Sequence, residues 1–256
     1  MKKILLLLIV FVATNSFSQE INYKEYSYSQ LFDMIENEKD SIFKLSDAII
    51  KYNEKTDSLF VKKLYDETDE AKDSIYKLIK KRPVNKHLSF NNVAFISKSL
   101  RKEKALGGIL QNIEFKKSVA LTNVREVEFL NCSFNKEFEI SNLDIIPDKT
   151  FKKIGVLQFD FCDFYNKVKI RNFNREDTSN KTPCSLFNNT FHTSKIKHEK
   201  EFYEADVVLA SENSLGMIFY KNTFLGNGSV DIFSSKDEQV GFGENNFLNV
   251  IVSFSF

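Results

Sequence analysis

The stretch NCSFNKEFEISNL, residues 131–143, sets a cysteine two places before a phenylalanine and follows the pair with the alternating trio Phe138-Glu139-Ile140. The arrangement recurs. Phe161-Cys162-Asp163-Phe164, Asn188-Asn189-Thr190-Phe191, Lys221-Asn222-Thr223-Phe224 and Glu244-Asn245-Asn246-Phe247 repeat the four-residue unit, with successive closing phenylalanines 23 to 33 residues apart. Short alternating stretches follow each unit, at Val168-Lys169-Ile170, around Ile196, at Val230-Asp231-Ile232 and at Val250-Ile251-Val252. Others precede it, as in Val127-Glu128-Phe129 and Leu157-Gln158-Phe159.

Two or three strands of period two, broken by Asn-containing turns and repeated every 20 to 33 residues, are the mark of a solenoid. The alternation excludes helical repeats, and the missing leucine frame excludes leucine-rich repeats. The expected fold class is therefore all-β, a right-handed parallel β-helix whose coils lie about 4.8 Å apart. Equivalent inward side chains then stack in columns. One column is a core phenylalanine stack of Phe134, Phe164, Phe191, Phe224 and Phe247; a second, two residues earlier, reads Cys132, Cys162, Asn189, Asn222 and Asn245. Asn adopts turn geometry and bonds to the copies above and below it, and cysteine packs as a small hydrophobe in the same slot. That predicts a structural ladder of amides and free, buried thiols.

A further pattern, apolar-any-Asn/Asp-apolar, extends the repeat toward the N-terminus. It reads Leu45-Ser46-Asp47-Ala48, Phe90-Asn91-Asn92-Val93, Leu121-Thr122-Asn123-Val124, Ile140-Ser141-Asn142-Leu143 and Ile170-Arg171-Asn172-Phe173. The coils are thus expected over residues 41–256. On these motifs the chain resembles right-handed parallel β-helix proteins of pentapeptide-repeat-like type, whose coils also stack Phe or Leu with small residues and Asn or Asp. The strict five-residue frame is absent here and coil length varies, so the resemblance implies fold and no activity.

Residues 1–18 carry Lys2 and Lys3, an apolar run from Ile4 to Val12 and small polar residues to Ser18, the pattern of a secretory signal peptide. The short leader ending Ser-Phe-Ser-Gln-Glu, with the Lys, Asn, Ile and Phe bias, resembles exported proteins of the Bacteroidota. An exported protein of the periplasm, outer surface or medium is expected. The apolar run is about half the ~20 residues a membrane-crossing helix needs, so no transmembrane helix is expected. Without Lys2 and Lys3 the 36 basic residues fall to 34 against 35 acidic ones, a balance that gives no electrostatic reason to expect nucleic acid. Three cysteines are too few for a disulfide scaffold.

Residues 19–40 are expected to form a capping helix, because Tyr28, Leu31, Phe32 and Ile35 share one face. Residues 41–52 are read as a first coil. A helical insertion is expected around 56–82, with Ala71, Ile75, Leu78 and Ile79 at helical spacing over Asp66 to Arg82 and a stop at Pro83. Longer connections at Asp144–Gly155, Asn174–Cys184, Thr193–Gly216 and Ser234–Val240 read as insertions on one side, the usual binding side of a solenoid. Phe247 to Phe256 is an alternating strand that offers a C-terminal β edge for a protein partner or for self-association.

Chemistry is sparse. Asp160, Asp163 and Arg171, with Arg175 near, are the weak catalytic candidates for cutting a polysaccharide, since glycoside hydrolysis needs paired acids and elimination an acid-bound cation with a base. They lie within repeat units, where a structural role is the simpler reading. His192, His198, Glu199, Glu201, Glu204 and Asp206 cluster in sequence without a metal-ligand spacing, so no metal and no cofactor is expected. The function expected is a non-catalytic exported structural or binding module, engaging a protein or cell-surface component through its insertion loops or C-terminal edge. The alternative is a polysaccharide lyase or glycoside hydrolase of β-helix type.

Overall fold

In the computed structural model of the protein, residues 22–51, 68–96, 108–124, 127–142, 157–173, 184–194, 206–212, 217–234 and 240–255 are described. The expected leader (1–18), Ile196 and most residues of the expected insertions lie outside them. Strands are numbered in chain order and form three sheets, each parallel throughout.

The nine-stranded sheet contains β1 (Lys24–Ser27), β2 (Ile42–Lys51), β4 (His87–Ile96), β7 (Val119–Thr122), β10 (Phe138–Asn142), β13 (Val168–Phe173), β16 (Val207–Glu212), β19 (Ser229–Ser234) and β22 (Ile251–Ser255). The six-stranded sheet contains β5 (Gly108–Gln111), β8 (Val127–Leu130), β11 (Leu157–Asp160), β14 (Cys184–Phe187), β17 (Met217–Tyr220) and β20 (Val240–Gly243). The seven-stranded sheet contains β3 (Arg82–Val84), β6 (Ile113–Phe115), β9 (Ser133–Phe134), β12 (Asp163–Phe164), β15 (Thr190–Thr193), β18 (Thr223–Gly226) and β21 (Asn246–Leu248). The chain visits the nine-, six- and seven-stranded sheets in turn, so each circuit is one coil of a parallel β-helix.

Alternation dictates which side chains enter the coil. In β10, Phe138, Ile140 and Asn142 are buried while Glu139 and Ser141 lie toward the outside. Register then stacks like on like: Phe138 opposes Val168, which opposes Val207, then Val230, then Val252. The column corrects two readings of the sequence. Its member between Val168 and Val230 is Val207 of β16, so Thr193–Gly216 is not one insertion, and its last member is Val252 rather than Val250. Register is decided by which residues face inward, and a one-residue slip would turn Phe254 to the outer face.

The phenylalanine column runs from Phe115 through Phe134, Phe164, Phe191 and Phe224 to Phe247, with neighbouring centroids 4.6–4.9 Å apart and ring planes within 12°. Val84 continues it one coil earlier. The coil rise sets this spacing, which lies at the short end of stacked aromatic pairs. Phe129 and Phe159 form a second stack at 5.2 Å and meet the first edge-on.

Two helices depart from the coils. α1 (Tyr28–Asn37) begins with a capping box in which Ser27 Oγ accepts from Gln30 N–H and Gln30 Oε1 accepts from Ser27 N–H. Its buried face, Tyr28, Leu31, Phe32 and Ile35, joins the main core, as the end of an apolar column requires. β1, which precedes it, pairs with β2 and is a strand that sequence reading did not separate from the helix. α2 (Asp69–Leu78) is shorter than the stretch Asp66–Arg82, and its contact residue is Tyr76, buried against Leu130 and Phe161, while Ile75 and Leu78 are exposed. Of the apolar stripe Ala71, Ile75, Leu78 and Ile79, Ile79 packs against the Tyr76–Leu130 cluster, whereas Ile75 and Leu78 face outward. No helix among the described residues is long and apolar enough to cross a membrane.

Candidate functional site

The turn from the six- to the seven-stranded sheet is made at one residue per coil, in left-handed backbone conformation: Asn112, Asn131, Phe161, Asn188, Lys221 and Glu244, with φ of 50° to 56°. Asn tolerates this region best among residues with a Cβ. The residue after each corner points inward, and these are Ile113, Cys132, Cys162, Asn189, Asn222 and Asn245. Asn189 Nδ2 donates to Asn222 Oδ1, and Asn222 Nδ2 to Asn245 Oδ1, both at 3.0 Å. Each of the three amides also donates to a carbonyl of the six-stranded sheet one coil back, at Phe159, Leu186 and Phe219. Cys162 Sγ and Cys132 Sγ donate to the equivalent carbonyls of Phe129 and Leu110, at 3.4 and 3.2 Å. A thiol thus takes the place of the amide N–H.

The three thiols are buried and free. Burial pushes the Cys184 thiol up to about 12, and pushes Cys162 well above its ordinary value, so neither offers a thiolate at neutral pH.

Where the corner column departs from Asn, another contact explains the departure. Phe161 lies 5.2 Å from the Tyr76 ring, and Lys221 Nζ lies 3.2 Å from Asp69 Oδ2. Asn131 Nδ2 donates to the Tyr76 carbonyl. α2 therefore lies along the outside of this corner, and beyond its end Arg82 N–H donates to the Asn112 carbonyl. A second set of left-handed residues, Asp47, Asn92 and Asn123, comes from the apolar-any-Asn/Asp-apolar pattern. Asn142 of that pattern is different: its buried amide accepts from Val124 N–H and donates to Val124 O.

The catalytic candidates are not brought together. Asp160 is in the six-stranded sheet and accepts from Asn188 Nδ2; Asp163 is in the seven-stranded sheet, in register with Ser133 and Thr190; Arg171 is in the nine-stranded sheet. The corner at Phe161 separates the two acids onto differently facing walls. His192 stacks on Tyr165 with centroids 4.4 Å apart. Asp206 is placed by Ser194 Oγ and Ser229 N–H, and burial raises its pKa. Among the described residues no group of three or more His, Cys, Asp and Glu could hold a metal ion; His198, Glu199, Glu201, Glu204 and Arg175 lie outside them.

Two surfaces remain. The last coil, Val240–Ser255, carries Leu248, Ile251 and Phe254 at 54%, 72% and 45% exposure, with Phe242 also exposed. One coil earlier, Phe219 and Ile232, the column partners of Phe242 and Phe254, are 0% and 1% exposed. The other surface is a cleft where the chain leaving α2 crosses the outer face of the seven-stranded sheet. Lys81 Nζ there donates to Ser133 Oγ at 2.5 Å and pairs with Asp163 at 3.3 Å. These contacts tie the chain leaving α2 to two successive coils. Tyr165, Asn135 and Glu114 of this cleft were not singled out in the sequence, although Asn135, Tyr165, His192, Leu225 and Leu248 each follow a column phenylalanine and so share one outward row. No protein-family model, no curated protein and no solved structure matches the chain.

Proposed function

We propose that this chain is a non-catalytic, exported structural or binding module of pentapeptide-repeat-like and Bacteroidota type, which works through the open end of its stack by joining a second copy end to end. The observation that carries this is the contrast between the last two coils: the columns that are sealed at Phe219 and Ile232 are uncovered at their last members, Phe242 and Phe254. Three parallel strand edges, β20, β21 and β22, end there together, and open edges invite pairing.

Charge favours a copy of the chain itself as the occupant. Between Val240 and Ser255 the ionisable residue is Glu244, in a chain that is 28% charged, and its carboxylate accepts from Tyr220 OH at 2.8 Å. Two such faces meet without repulsion and bury apolar surface. The other end of the stack is closed by α1, so head-to-tail growth is blocked and tail-to-tail contact gives a closed dimer. The separation of Asp160, Asp163 and Arg171 over three sheets supports a module without catalysis.

The test is the solution mass of the protein lacking its leader, by light scattering, beside Val252→Lys/Phe254→Lys. A dimer that becomes a monomer, with strand content unchanged by circular dichroism, supports the reading. Should the double variant lose its strands, Ile251→Lys, at an exposed position, gives the same comparison. A native monomer at high concentration overturns it.

A further inference from the structure

The cleft beside α2 has the makings of a ligand site distinct from the open end. It is lined by Lys80, Lys81 and Pro83 on one side and by Glu114, Lys116, Ser133, Asn135 and Tyr165 on the other, and holds about 530 Å³. That is within the ~300–1,000 Å³ of small-molecule sites. Its walls are fixed. Lys81 is tied to Ser133 and Asp163, and Glu114 is held by Asn135 Nδ2 at 2.9 Å and by Lys116 at 3.7 Å. Tyr165 is half exposed, and His192 backs its ring from the following coil, which leaves the opposite face toward the cleft.

We infer that this cleft binds a sugar ring bearing one anionic substituent. The aromatic face of Tyr165 suits a ring with an apolar face and a polar rim, because the C–H groups of such a ring lie against the π cloud while its hydroxyls reach outward. The hydroxyls find the Glu114 carboxylate as acceptor and the Asn135 amide as donor or acceptor. The charges select an anion. Lys116 is balanced by Glu114 and Lys81 by Asp163, while Lys80, exposed at the mouth, has no hydrogen bond or ion pair with another described residue. One ammonium in excess matches one carboxylate or one sulfate ester. A single excess charge is too little for the backbone of a nucleic acid, which is bound by many such contacts. A peptide strand would seek a sheet edge, whereas this is a sheet face.

The experiment titrates the folded protein with glucuronate, glucose 6-sulfate and glucose, following ligand resonances by saturation-transfer NMR and heat by calorimetry. At least one charged sugar is expected to bind saturably and about two- to fivefold more tightly than glucose, the scale of an exposed ion pair. Comparison of the two charged sugars identifies the anionic group. Tyr165→Ala is expected to weaken all binding about tenfold, and Lys80→Glu to abolish the preference for charge. Because Lys80 is exposed and engages no other described residue, the second variant reads the site even if the first does not fold. Lys136→Ala, exposed and outside the lining, is expected to bind as the native protein does. No saturable binding of either charged sugar, equal affinity for glucose, or retained preference in Lys80→Glu would overturn the inference.

Discussion

At the first coils α1 lies across the columns, so Phe43 and Leu45 are buried although no described coil precedes them on that side; at the last coil Phe242 and Phe254 occupy the same kind of position and face solvent. The two ends are made of similar residues. What differs is the element that comes next along the axis, and this teaches that burial in a stacked fold belongs to the neighbour as much as to the residue. A column phenylalanine is stabilised from both sides in the middle and from one side at the end.

The largest effect should come from interrupting a column at its centre. Phe164→Ala is expected to cost about 3–5 kcal/mol, measured by urea unfolding, because it removes two ring stacks and leaves a cavity between fixed coils. Phe247→Ala, with one stacking neighbour, is expected to cost less than half as much in the monomer; equal costs would break the comparison between middle and end. Removing the plug comes next. Leu31→Asp puts an unpaired charge among buried apolar groups and is expected to destabilise by several kcal/mol, with loss of protection from hydrogen exchange confined first to the β1–β4 coils.

The ladder sharpens the same contrast on a smaller scale. Asn222→Ala strips an acceptor from Asn189 and a donor from the Leu186 carbonyl, for an expected loss of about 1–3 kcal/mol. Asn245→Ala, at the open end where water replaces the lost partners, should cost visibly less in the same unfolding assay. The smallest effect concerns pH. Asp206 has its carboxyl raised above the ordinary 3.8, chiefly by burial, so its contribution favours the fold below 3.8 and is lost as pH rises through the folded value. Asp206→Asn is therefore expected to flatten the stability profile above that range by a small margin, read from Tm against pH. A larger gain in acid than at neutral pH would contradict the sign.

Much of this architecture was legible because stacking forces the same residue type to return at the same place. Phe134, Phe164, Phe191, Phe224 and Phe247 all lie in one column, and α1 uses the four apolar residues that its spacing marks. Where a unit tolerates another side chain, the signal fades. Asn112-Ile113-Glu114-Phe115 is the same corner with Ile in the cysteine slot, and Arg82-Pro83-Val84 ends in Val in place of Phe, so two coils escaped the alignment. The candidate site was less legible still. Tyr165 and Asn135 are ordinary turn residues until the coils set them in one row, and Lys80 is one of many lysines until α2 carries its chain across that row.

The sequence by itself determined the period, the parallel all-β coil, the inward columns and the apolar face of α1, because each follows from local alternation repeated at intervals. Only the tertiary structure decided that α2 docks through Tyr76, that Asp160, Asp163 and Arg171 fall in three different sheets, and that the chain leaving α2 closes a cleft over the seven-stranded sheet. Those relations join residues separated by tens of positions, from Asp69 to Lys221 at the extreme. Contacts of that span leave no periodic trace in the chain, since they are set by where an insertion lands on a surface that the repeats have already built.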